Sequence, residues 1–132
     1  MNNMQTRRIP RTLALLLVVM IAMGAQYFDL AITFGAHPWW ATQVLWVGVL
    51  LGVCAGALGR RLISSSIKPF ALCLVVIGIA ALATAFGKQG FAASFGDNKV
   101  AGQFWYFGWI MTCTSITAAL ILLPFPLQKK SK

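Results

Sequence analysis

Four long apolar stretches, almost empty of charge, decide what this chain can become. A helix crosses the hydrocarbon core of a bilayer with about 20 apolar residues. Stretches of that kind run from 13 to 34, 41 to 59, 69 to 86 and 104 to 124. None alternates apolar with polar residues as a barrel strand does. Backbone amides in lipid must find partners within their own segment, so each stretch reads as a helix. The expected fold class is all-α: a polytopic membrane protein with four transmembrane helices, arranged as two consecutive helical hairpins in a single membrane domain over residues 1–132. Composition agrees. With 59% hydrophobic and 10% charged residues, there is too little charge to cover a soluble globule. The abundance of Leu, Ile, Val and Phe excludes a disordered basic tail.

The connections carry turn chemistry. His37-Pro38 separates the first two spans. Arg60-Arg61 through Lys68-Pro69, with Ser64, Ser65 and Ser66 between them, separates the second and third. A loop from Gly87 to Gly102 contains Gly87, Gly90, Gly96, Asp97, Asn98 and Gly102, all turn formers. Pro124 and Pro126 end the fourth span.

The net charge of +9 is distributed unevenly over this frame. Arg7, Arg8 and Arg11 precede the first span, Arg60, Arg61 and Lys68 occupy the middle connection, and Lys129, Lys130 and Lys132 form the tail. Four spans put these nine on one side, against Lys88 and Lys99 on the other. By the positive-inside rule, both termini face the cytoplasm. The aromatic residues lean the opposite way. Trp39, Trp40, Trp46, Trp105, Trp109, Tyr27 and Tyr106 fall toward the outer ends of the spans, as an interfacial aromatic belt does. The expected location is the plasma membrane, a bacterial inner membrane for so compact a chain. The bilayer is the expected partner, not nucleic acid. The basic segments attract anionic lipid as a consequence of topology.

A second reading of the N-terminus remains open. Arg7, Arg8 and Arg11, an apolar run, and Ala22-Met23-Gly24 resemble a signal peptide with a small-residue cleavage site. Cleavage near Gly24 would leave three spans. Apolar residues continue past that site to Phe34, which favours an uncleaved anchor.

Small residues mark the packing seams. Gly48, Gly52 and Gly56 form a groove along one face of the second span and let another backbone approach closely. Gly108, Thr112, Ser115 and Ala119 repeat at heptad spacing on the fourth span and are the expected partner face. A homo-oligomer through the glycine groove is the alternative use. A weak internal repeat relates Phe34-Gly35, Gln43, Trp46 and Gly48 to Phe95-Gly96, Gln103, Tyr106 and Gly108. Two similarly oriented hairpins would form a parallel repeat.

The chemistry of the side chains is sparse. Metal and haem sites need clustered His, Cys, Asp or Glu. Here there is one histidine, and Cys54, Cys73 and Cys113 fall one per span. Neither a metal, a cofactor nor a catalytic set is expected, and the chain reads as a non-enzyme. The remaining polar residues gather toward the outside. Gln26, Asp29 and Thr33 share one helical face, with His37, Gln43 and Gln103 on the same side. An acid in a span is a functional candidate by default.

Two functions follow. The first is an accessory or assembly subunit of a membrane complex, non-catalytic, with a membrane-protein partner or a second copy. The alternative is a small oligomeric transporter or channel with an outward-facing polar site around Asp29. The uncleaved reading is directly measurable. A C-terminally tagged chain is expected to migrate on an immunoblot with its Ala22→Leu variant, and a difference of about two dozen residues would establish cleavage.

Overall fold

A computed structural model describes residues 6–65 and 67–126, with side chains over 8–65 and 67–124. The basic tail at 127–132 lies outside the described residues. The fold is all-α. The helices are α1 (Arg11–Tyr27), α2 (Leu30–Thr33), α3 (Ala41–Leu62), α4 (Ile67–Ala93) and α5 (Lys99–Ile121). A three-residue antiparallel contact joins β1 (Thr6–Arg8) to β2 (Pro124–Pro126). Prolines lack the amide hydrogen that would extend it. Helices α3, α4 and α5 are long and apolar enough to cross a membrane, and α1 is a shorter apolar helix.

The first stretch does not form the single helix expected over 13–34. α1 stops at Tyr27, and Asp29 adopts a left-handed conformation at φ 49°. An aspartate tolerates that region better than most residues. Thr33 stabilises the break, because its amide and its hydroxyl both donate to the Asp29 carbonyl, at 2.9 and 3.1 Å. The single turn α2 follows. At 1.5 Å per residue, the 17 residues of α1 rise roughly 25 Å, short of the roughly 30 Å hydrocarbon thickness.

The expected loop at 87–102 is also much shorter. α4 continues to Ala93 and α5 begins at Lys99. Gly87 is buried against α5, where a Cβ would stand 2.7 Å from the Ala101 carbonyl oxygen and closer still to the Trp105 nitrogen. It is helical because close helix packing needs it, and it makes no turn. The turn proper is built by Ser94, whose hydroxyl donates to the Phe91 carbonyl and accepts from the Asn98 amide. Asn98 then caps α5 by accepting from the Ala101 amide at 3.0 Å.

α5 is the centre of the arrangement. α3 and α4 pack on its two flanks and scarcely meet each other, and α1 leans more lightly on α3 and α5. The α3 glycines lie against α5, but not against the residues expected. A Cβ at Gly48 would press on Cys113 and on the Ile110 carbonyl, 3.0 Å away. At Gly52 it would press on Thr117 and on the Thr114 carbonyl at 2.6 Å, and at Gly56 on Ile121. Gly108 instead faces α4, where Thr84 fills the space a side chain would take. Thr112 borders a cleft beside α4, and Ser115 and Ala119 are buried. The heptad set Gly108–Ala119 is therefore not the surface that the α3 glycines touch. The two seams run down different sides of α5.

One end is closed by arginines bonded to backbone carbonyls. Arg60 donates from Nε to the Ile121 carbonyl at 2.7 Å, and from its terminal nitrogen to the Ile9 carbonyl at 2.9 Å. Arg8 donates to the carbonyls of Arg60, Ile63 and Ser65 at 3.0, 2.5 and 2.7 Å. The last carbonyls of a helix lack intrahelical partners and carry partial negative charge. Arg60 thus closes α5 and Arg8 closes α3. The contrast between seam and surface yields a prediction. Gly52→Ala costs about 1–3 kcal/mol in stability through overpacking. Gly78→Ala, on an open surface with nothing within 4 Å, keeps or raises the melting temperature. Equal melting of both variants would remove the α3–α5 seam from the structure.

Candidate functional site

The end opposite the arginines is built on aromatic rings. Trp40 of the connection before α3 meets Trp105 and Tyr106 of α5 edge-on, at centroid distances of 5.2 and 5.3 Å. His37 stacks on Trp40 at 6.2 Å and meets Trp39 and Trp105 edge-on. Its Nδ1 accepts the Trp39 amide hydrogen at 3.3 Å. Trp105 donates from Nε1 to the Gly35 carbonyl at 3.1 Å, which ties the α2 turn to α5. Gly35 has φ 104°, a conformation that needs glycine. Its open side is occupied by Lys88, whose Nζ would be 2.8 Å from any Cβ placed there.

The six residues expected as an outer polar cluster are dispersed. Gln26 donates to the Thr42 hydroxyl at 3.2 Å, while its Oε1 is buried without a partner. Asp29 is exposed at the α1–α2 break and bonds through its backbone to Gln26 and Thr33. Thr33 turns its hydroxyl back to that backbone. His37 belongs to the aromatic group. Gln43 is exposed at the start of α3. Gln103 borders a cleft between α4 and α5, with Val76, Ile79, Phe107 and Met111. The structure brings Asp29 and Thr33 together, and Gln26 near Thr42.

Two of the concave surfaces lie along the α4–α5 seam. The Gln103 cleft has a volume of about 460 Å³. A second, of about 660 Å³, opens between the residues after α2, α4 and α5, with Lys88 and Gln89 at one end and Thr84, Trp109, Thr112 and Ile116 along it. A third space of about 220 Å³ lies among α1, α3 and α5 and shares Phe34, Trp109 and Ile116 with the second. The Trp109 Nε1 is buried without a partner between them. A ridge of exposed side chains, Leu72, Val75, Ile79, Leu82 and Phe86, runs along α4; Ile79 borders the first cleft, and Leu82 and Phe86 border the second. Their spacings of three and four place them on one face of α4.

These surfaces are lined mainly by apolar side chains. Among the described residues, no three His, Cys, Asp or Glu gather as metal ligands. Cys54 is exposed, Cys73 partly buried and Cys113 buried, all as free thiols. The α4 ridge was not singled out in the sequence because α4 is apolar on every face, which hides any periodic stripe. Lys88 was visible as an outer cation, but its place over Gly35 depends on how α2 folds back. Comparison with protein-family models, with curated proteins and with solved structures finds no match for the chain.

The left-handed Asp29 makes a testable distinction between shape and charge. Asp29→Asn is expected to keep the wild-type melting temperature, since Asn tolerates this conformation. Asp29→Val loses about 1–2 kcal/mol. A large loss in the Asn variant, read by thermal unfolding, would show that the carboxylate itself holds the fold.

Proposed function

We propose that the chain is a non-catalytic, four-span integral membrane protein that serves as an accessory or assembly subunit. Its docking element is the α4 ridge, and its occupant is a transmembrane helix of a partner protein. The observation that carries this reading is the attachment of α4. This helix packs on α5 and scarcely meets α1 or α3, leaving the ridge Leu72, Val75, Ile79, Leu82 and Phe86 free beside two clefts. Spacings of three and four are those with which one helix inserts into the hollows of another. The bordering clefts are the matching hollows.

The remaining topology is part of the same proposal. α1 with the α2 turn serves as the fourth span. Ala14, Val18 and Ala22 of α1 belong to the buried core together with Leu45, Val49 and Cys113, which supports retention of this segment rather than cleavage near Gly24. The separation of Arg8, Arg11, Arg60 and Arg61 from the aromatic end supports cytoplasmic termini, and the compact chain suits a plasma membrane.

A photocrosslinking residue at position 79 or 82, in native membranes, is expected to give a discrete adduct with one second polypeptide. The same residue at Leu50, exposed on α3, should give none. The adduct should vanish in an Ile79→Ala, Leu82→Ala background that still accumulates and melts like the parent. An adduct of two copies of the chain replaces the accessory subunit with a homo-oligomer, and equal labelling at positions 50 and 79 removes the ridge as a docking surface.

A further inference from the structure

The basic end contains a cavity that the proposed docking does not use. It lies between the start of α1 and the end of α3 and has a volume of about 160 Å³. Three guanidinium-bearing residues line it: Arg11, Arg60 and Arg61. Its other walls are apolar and include Leu15, Val53 and Ala57. Such a mixture is unusual, since like charges gathered against an apolar wall repel one another and lose hydration.

Nothing in the sequence provides a side-chain counter-charge there. The only carboxylate side chains are Asp29 and Asp97, and both stand at the far end, in the α1–α2 break and the α4–α5 turn. The hydrogen bonds of Arg8 and Arg60 go to backbone carbonyls, which satisfy donors without cancelling charge. The α1 N-terminus adds to the positive field. Its N-cap is Pro10, which supplies no side-chain bond to the first amides.

We infer that this cavity binds the phosphate of an acidic phospholipid from the leaflet at the arginine end. Planar guanidinium groups match phosphate oxygens two at a time. The glycerol and the first methylenes of the acyl chains lie along Leu15, Val53 and Ala57, and the tails continue over the apolar surface of α1 and α3. The chemistry selects for a phosphate ester bearing net negative charge and an apolar continuation. A zwitterionic lipid brings its own cation toward the arginines, and free phosphate leaves the apolar wall bare. This inference rests on the membrane reading of the chain, but it does not depend on the α4 ridge or on any partner.

The test uses the full chain, delipidated in an uncharged detergent and titrated with phosphatidylglycerol or phosphatidylcholine. Lipid retention is read by native mass spectrometry and stability by thermal unfolding. Phosphatidylglycerol is expected to bind at least about tenfold more tightly, and the preference should fall as salt rises. The double variant Arg11→Gln, Arg61→Gln should lose most of that preference, and Lys88→Gln, Lys99→Gln at the other end should keep it. Ala57→Phe, which narrows the cavity and leaves every charge in place, should also weaken retention. It serves as the deciding variant if the double arginine variant does not fold. Equal binding of the two lipids, or an unchanged preference in both the double arginine variant and Ala57→Phe, overturns the site. Equal stabilisation by inorganic phosphate alone overturns the lipid assignment. Crosslinking at position 79 is expected to persist in these variants, so failure here is distinguishable from failure of the docking proposal.

Discussion

Close approach of helix backbones to α5 is the condition on which the rest of this structure depends. Apolar side chains gain little from leaving lipid for one another, so helices in a bilayer associate chiefly through packing contact and hydrogen bonds. Small residues supply both by letting backbones come near. Gly48, Gly52 and Gly56 bring α3 onto one flank of α5, while Gly87 and Gly108 bring α4 onto another. The two seams occupy different sides of α5, and for that reason α3 and α4 scarcely touch. The clefts along α4 follow directly from this geometry.

The ends of the helices solve a second problem, the unpaired carbonyls of their last turns. Arg60 and Arg8 close α5 and α3 from outside each helix. Two of the basic residues thus complete backbone hydrogen bonding at helix ends. Their charge is still uncompensated after those bonds are made, because carbonyls are dipoles. The aromatic end uses different means. Trp105 holds Gly35 by one hydrogen bond, and the ring contacts among His37, Trp40 and Tyr106 fix the connection before α3.

How much was legible depended on whether composition alone carried the cause. That α3, α4 and α5 are apolar helices long enough to cross a bilayer can be read without any neighbour, although the ends of α4 and α5 at Ala93 and Lys99 could not. The break after Tyr27 could not, because Asp29 sits inside an apolar run and its left-handed backbone is a local choice held by Thr33. Glycine was ambiguous in a similar way. Gly87 has the composition of a turn but serves a helix seam, and only the partner helix distinguishes the two uses. The polar cluster was the least legible part. Shared sidedness placed Gln26, Asp29, Thr33, His37, Gln43 and Gln103 together, whereas Gln26 bonds across to Thr42, His37 joins the aromatic rings, Asp29 and Thr33 bond locally, and Gln43 and Gln103 are exposed.

The sequence alone determined an all-α chain with helices long enough for a bilayer, and it separated the basic from the aromatic ends. Those properties come from segment length, hydropathy and charge order, which are set residue by residue. Tertiary structure decided which face of α5 receives each neighbour, where the clefts open, and that three arginines from two helices line one cavity. These depend on how helices rotate about their axes and how closely they approach. Close packing between specific neighbours sets both, and no single apolar stretch specifies its neighbour.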